Sequence, residues 1–272
     1  MFHTILLSGD RPHDALAQIS PGKRKALLPL NGRPMIAHVL EVLLASRDVG
    51  RITIVANGVA DLSGNADIAA LLAERGAVDR VSFEEGAGTP AASVLKVVGG
   101  LDRETATLVT TADNPLLSVV ALAQFCDTVR RDPELEAAVG LARESDIRRA
   151  FPASKRTFIR LGGSGYSGCN LFVLMPGIGP KAARAWQKVE GRRKKPWQLI
   201  LHFGVLTLLR AIIGRLDLEK AFAAVSRTLD LRAKPIVLDD AAAAMDVDRL
   251  EHVAIAEVVL SSREEGVRSR AP

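Results

Sequence analysis

Aromatic residues are scarce, at 4 % of the chain, with one tyrosine and two tryptophans in 272 residues. Packing therefore falls to Leu, Val, Ile and Ala, within a hydrophobic fraction of 48 % that is ample for a substantial core. Cysteine is almost absent too. Cys126 and Cys169 lie far apart without metal-ligand spacing, and Cys126 sits in a helical pattern as a small apolar residue. A reducing cytoplasm is the natural compartment for such a chain. The opening MFHTILLSGD has an apolar run too short for a signal peptide and no basic region before it, so export is not expected. No internal repeat is visible. His3, His13, His38, His202 and His252 show no metal spacing. The charge is not extreme: 36 basic against 31 acidic residues give a formal +5 and a pI near 9.5. That excess suits anionic partners without choosing among small molecules, nucleic acid and acidic lipid. It is dense at 23–25, 148–149, 155–156 and above all 192–195.

What is present is an alternation. TILLS reads as a buried strand, Pro34–Leu44 as a helix, RITIVAN as a strand and Ile68–Arg75 as a helix ending at Gly76. DRVSFE, Pro90–Val98, ATLVTTAD, Val119–Arg131 and AAVGLA continue the rhythm. Strands separated by helices of this length predict a mainly parallel sheet with helices on both faces, a three-layer α/β/α fold. Such sheets bind ligands beyond the carboxyl ends of their strands, so the loops after TILLS and ATLVTTAD should open onto one crevice. After residue 150 the rhythm changes. TFIRL and CNLFVLM read as strands around the turn GGSGYSG, a helical insertion covers roughly 180–232, and KPIVLD returns as a strand. A closing helix over 250–260 completes one domain of residues 1–261, followed by a polar tail, 262–272, expected to be disordered.

The longest irregular stretch follows the first strand. A compact domain rarely keeps so long a loop without using it. Ser8-Gly9 can turn tightly and leave backbone N–H groups outward as an anion cradle. Arg11 and Lys25 can meet phosphate oxygens, Arg by a planar fork and Lys as a point charge. The alternative is a solvated basic loop.

KALLPLNGRPMIAHVL with the preceding Ser8-Gly9 turn, TTADNPLL, SGCNLFVL and MDVDRLEHVAIAE occur in this order. The ordered set resembles the nucleotidyltransferases of glycosyltransferase-A-like, Rossmann-like fold, and is most similar to the molybdenum-cofactor-guanylyltransferase-like group. The resemblance covers about 1–175 and 236–260. It departs in the loop, where Ser8 replaces a glycine, a third glycine is missing, and Arg11 comes earlier than the family's arginine.

This resemblance implies transfer of a nucleoside monophosphate from an NTP to a phosphorylated small-molecule or lipid head-group acceptor, with release of pyrophosphate. The implied partners are an NTP and that acceptor rather than nucleic acid, and the implied cofactor is Mg²⁺. Arg11 and Lys25 take the catalytic, phosphate-binding roles, and Ser8, Gly9 and Ser93 bind nucleotide. The proposed metal carboxylates are Asp113 and Asp248. On the residues alone, Asp113 is equally a turn residue before Asn114-Pro115. Asp246 and Asp248 share one face of an extended segment, so spacing does not separate them, and Asp248 can equally cap the helix that follows. Ser93 reads either as a base-side residue or as a helix-start serine. For the acceptor, Tyr166, Gly168 and Asn170 are the candidates, against a plain hairpin turn.

One segment lies outside the resemblance. GRRKKPWQLILHFGVLTLLRAIIGRL is apolar almost all round from Pro196 to Gly214, yet shorter and more interrupted than a bilayer span. It reads as a buried or dimer-forming helix, or, through Arg192–Lys195 and Trp197, as a peripheral contact with an anionic membrane over 192–214. Two rival functions are an NDP-sugar-dependent glycosyltransferase and a non-catalytic nucleotide-binding regulator.

Overall fold

The structure is a computed structural model that describes residues 1–10, 16, 24–190 and 216–268. In chain order the elements are β1 (Phe2–Ser8), β2 (Pro29–Leu30), β3 (Arg33–Pro34), α1 (Met35–Ala45), β4 (Val49–Ala56), α2 (Ala60–Ser63) and α3 (Ala66–Glu74). There follow β5 (Val81–Glu85), α4 (Pro90–Gly100), β6 (Thr107–Thr111), α5 (Val119–Arg130), β7 (Ala137–Arg143) and α6 (Glu144–Ala150). The chain closes with β8 (Ile159–Leu161), β9 (Ser164–Leu174), α7 (Gly179–Glu190), α8 (Leu218–Leu229), β10 (Ala233–Leu238) and α9 (Leu250–Arg268).

The main sheet runs β10-β7-β9-β6-β1-β4-β5, with β8 pairing β9. β1 is parallel to both β4 and β6, β4 to β5, and β7 to β10. β9 runs antiparallel between β6 and β7. The expected α/β/α fold is therefore present, as a mixed and mostly parallel sheet.

Alternation along the strands sends side chains into two cores. Leu6, Ile52, Ile54 and Leu108 pack under α1, α3, α5 and α9, whereas Ile5, Leu7, Val55 and Val109 pack under α4, α7 and α8. Helix starts are fixed locally. Thr89 accepts the Ala92 N–H and Ser118 accepts the Ala121 N–H, at 3.2 and 3.1 Å, each satisfying a donor that the helix cannot. Cys126 and Cys169 are both fully buried, and burial pushes each thiol up to about 12. They are packing residues.

Two expectations need correction. GGSGYSG is not one turn: only Gly162-Gly163 turn, and Ser164 already pairs Leu161 in a continuous β9. Core-facing Gly165, Ser167 and Cys169 continue the alternation, so this glycine-rich stretch behaves as a strand. The tail from residue 262 is helical to Arg268, because Ser262 bonds back to the Val258 carbonyl and Arg263 approaches Asp240. Residues 269–272 lie outside the described residues. Helix α6 was not foreseen; its Glu144 is buried and held by Arg148 and Arg160 at 2.6 and 2.7 Å. The apolar segment 196–214 and its basic flank 192–195 lie outside the described residues. Among the described residues, no helix is long and apolar enough to cross a membrane.

His38 is buried on α1 and donates from Nε2 to the Leu30 carbonyl at 3.0 Å. Burial lowers its pKa from 6.5, with the Leu30 bond opposing. The unfolded chain therefore takes up this proton at a higher pH than the folded chain. The neutral ring contributes stability in full above pH 6.5, and that contribution is lost as pH falls through the lowered folded value. Between about pH 7.5 and about pH 5.5, the urea midpoint of the wild type should fall further than that of His38→Gln. Equal falls would remove His38 from the acid response.

Candidate active site

The carboxyl ends of β5, β4, β1 and β6, together with β9, open onto a cavity of about 660 Å³. At one end it is lined by Asn57 after β4, by Gly86 and by Ser93 of α4. Ser93 is buried, and its Oγ accepts the Ala87 N–H at 2.9 Å. A Cβ on Gly86 would lie 2.6 Å from Asn57 Oδ1, so the absence of a side chain here leaves room for that amide. In the middle lie Ser8, Gly9, Lys25 and Asp113, and at the far end Asn170 and Phe172 of β9 with Trp186 of α7. The two rings are 5.0 Å apart and tilted by 31°. From β5 to β9 is four strand spacings, about 19 Å.

Lys25, Asp113 and Asp248 converge. Lys25 Nζ donates to Asp113 Oδ2 at 2.7 Å and to Asp248 Oδ1 at 2.5 Å. Burial alone would lower the Lys25 pKa, but the two carboxylates outweigh it and raise the value, so the ammonium stays charged. The convergence is built by the backbone. Val247 N–H donates to the Asp113 carbonyl at 2.8 Å, clamping the 246–248 segment to the end of β6. Asn114, fully buried, donates from Nδ2 to the Cys169 and Ala243 carbonyls at 2.9 and 3.0 Å and so joins three segments. Thr111 Oγ1 donates to Asp113 Oδ1 at 2.6 Å, and His252 Nδ1 accepts the Asp248 N–H at 3.3 Å. On the loop side, Asp10 Oδ1 accepts the Lys25 N–H at 3.0 Å, while Arg24 bridges Asp10 and Asp61 at 3.3 and 2.6 Å.

Asp113, Asp246 and Asp248 each bring one carboxylate oxygen to within 4.8 Å of the others. Three hard oxygen donors suit Mg²⁺, and the ammonium held between two of them shows that the position attracts positive charge. Burial pushes Asp246 up to about 6, against the pull of Arg156, which is in close contact with it.

Residues 20–252 match the MobA-like NTP transferase domain family. The chain belongs to this family. A hypothetical transferase from Thermus thermophilus is similar at a TM-score of 0.74 and 26 % identity, over 93 % of this chain and 100 % of its own. A 4-diphosphocytidyl-2C-methyl-D-erythritol synthase from Anaerococcus prevotii has a TM-score of 0.57 at 13 % identity, over 96 % of each chain. A CMP:2-keto-3-deoxy-manno-octonic acid synthetase complexed with CTP has a TM-score of 0.54 at 12 % identity, over 96 % of this chain and 99 % of its own. The last two likenesses speak for the fold alone. No curated protein matches the sequence.

The residues singled out from sequence, some inside the matched stretch and Ser8, Gly9 and Arg11 before it, fall into three groups. Ser8, Gly9, Lys25, Ser93, Asp113 and Asn170 line this same cavity, and Asp248 reaches Lys25 at its edge. Tyr166 and Gly168 do not line it; they follow Asn170 outward along the same face of β9. Arg11 lies outside the described residues. Sequence reasoning passed over Asn57, Phe172, Trp186 and Arg156. The strand-end rule that nominated Asp113 would have nominated Asn57, and Arg156 was visible only as a dense charge. Nothing in the sequence marks Trp186 as facing the site.

Replacing Asn114 by Leu leaves two buried carbonyls without their donor. The variant should lose about 2–4 kcal/mol of stability by urea denaturation. Wild-type stability would show that the three segments are held without it.

Proposed function

We propose that the protein transfers a nucleoside monophosphate from an NTP to a phosphorylated acceptor, a small molecule or a lipid head-group, and releases pyrophosphate. The observation that carries this reading is the meeting of Lys25, Asp113 and Asp248, from three distant stretches of chain, midway along a cavity with a polar, glycine-lined end and an aromatic end. The sheet order suggests the arrangement of substrates. The nucleoside would lie over β4 and β5 by Asn57, Gly86 and Ser93, the triphosphate over β1 by Ser8, Gly9 and Lys25, and the acceptor over β9 by Asn170 and Phe172.

An acceptor phosphate oxygen forms the new bond to the α-phosphorus. The bond from that phosphorus to the oxygen bridging to the β-phosphorus breaks, and pyrophosphate leaves with the electron pair. The protein has little covalent work to do in such a step; it positions two polyanions and offsets their charge. Lys25 is a permanent cation at the junction. Gly9 is exposed, and a Cβ there would meet nothing within 4 Å among the described residues, which leaves its backbone open to phosphate oxygens. Asp113, Asp246 and Asp248 would hold Mg²⁺, which when bound supplies charge neutralisation on the phosphates. Asn170 offers an amide to an acceptor hydroxyl, and Trp186 and Phe172 wall off water on that side.

The test is pyrophosphate release across the four NTPs with Mg²⁺ and a panel of sugar, alditol and lipid head-group phosphates. One NTP–acceptor pair should turn over. NTP binding without release in any combination would favour a regulator, and tight UDP-sugar binding a glycosyltransferase. With the productive pair, Lys25→Ala and Asp113→Ala should each lower turnover by at least about 10²-fold while circular dichroism stays native. Full activity in either variant removes that residue from the mechanism.

A further inference from the structure

Asp246 lines the cavity, but the residue that holds it does not. Arg156, in the loop between α6 and β8, has an 11 % exposed side chain and is absent from the cavity wall. Its Nη2 donates to Asp246 Oδ1 in a close ion pair, and its Nη1 lies 3.8 Å from Met245 Sδ. Its Nε is buried with no hydrogen-bond partner among the described residues. A buried guanidinium with an unsatisfied N–H is poor engineering for stability, since a well-packed apolar pair often serves a core as well or better. The arrangement is better explained by what it does to the carboxylate.

Lys25 offsets the charges of Asp113 and Asp248, and Arg156 offsets that of Asp246. Without Arg156, a desolvated third carboxylate would stand within 4.8 Å of two others with no counter-charge of its own among the described residues. Repulsion from the other two carboxylates would turn it away from the cavity. Groups behind a metal ligand commonly fix its orientation in this way.

We propose that Arg156 is a positioning residue of the cation site: it holds Asp246 facing the cavity as a third carboxylate ligand beside Asp113 and Asp248. Arg156 acts only through Asp246 and does not touch substrate. The inference rests on the proposed cation-assisted transfer, and it is tested on the full-length protein without nucleotide, so that turnover is not the readout.

Free Mn²⁺ is followed by electron paramagnetic resonance in titrations of the wild type, Arg156→Met, Asp246→Asn and the double variant. Each single variant should bind Mn²⁺ about tenfold or more weakly. The double variant should be no weaker than Asp246→Asn alone, because the arginine has nothing left to position. A merely structural role would not produce that non-additivity. Arg156→Met with wild-type Mn²⁺ affinity, or losses that add in the double variant, overturns the proposal. If Arg156→Met fails to fold by near-ultraviolet circular dichroism, Arg156→Gln takes its place, and Asp246→Asn with wild-type affinity overturns the proposal by itself. Wild-type protein that binds no Mn²⁺ would instead overturn the cation reading of the whole site. Wild-type affinity in Arg156→Met alone leaves nucleotidyl transfer standing.

Discussion

The backbone bond from Val247 N–H to the Asp113 carbonyl is the constraint on which the site depends. It is a main-chain contact, so it fixes the segment 246–248 against the end of β6 whatever the side chains do. Asp246 and Asp248, two residues apart on an extended stretch, are then both presented next to Asp113. Asn114 secures the same junction from beneath. Its amide group reaches the carbonyls of Cys169 on β9 and Ala243 before the aspartate segment, where water is excluded and an unmade bond would be costly. Nearby, Gly140 on β7 lets β9 bulge, because a Cβ there would come 3.1 Å from Leu171 Cβ. The bulge accompanies Asn170, which lines the cavity in a left-handed conformation with φ 49°.

Three carboxylates gathered this closely repel one another, and among the described residues the fold answers with two nearly buried cations. Lys25 comes from the amino-terminal loop and Arg156 from the loop before β8. Lys25 itself is anchored through its backbone by Asp10, which also takes Arg24. Loop, strand end and closing segment are thus held by opposite charges on the cavity side, while Ala26, Ala112, Met245 and Val247 of the same segments are buried in the apolar core. Two further layers of apolar side chains fill the faces of the sheet behind them.

Much of this was legible in the sequence because it rests on local rules. Strand–helix alternation gave the layers, and strand-end position marked Asp113. Lys25 and Asp248 needed the family resemblance, since nothing local ties residue 25 to residue 248. The antiparallel direction of β9 was not legible, because its strand pattern is the same in either direction. GGSGYSG misled for a physical reason: glycine content suggests a turn, whereas pairing of Tyr166 with Arg143 and Ile159 makes it a strand. Arg156 was visible as a basic residue but not as the partner of Asp246, because the pair is made across 90 residues. The continuation of α9 past residue 261 depends on contacts with Asn31 and Asp240 that no local pattern shows.

The Lys25–Asp248 contact spans 223 residues. Lys25 is made 223 residues before Asp248, so a nascent fragment that stops between them holds the lysine without its second carboxylate. Such a fragment can form several parallel strands and still lack a finished charge cluster. The charge cluster is therefore complete only once the 246–248 segment has been made and has docked on the strands that precede it.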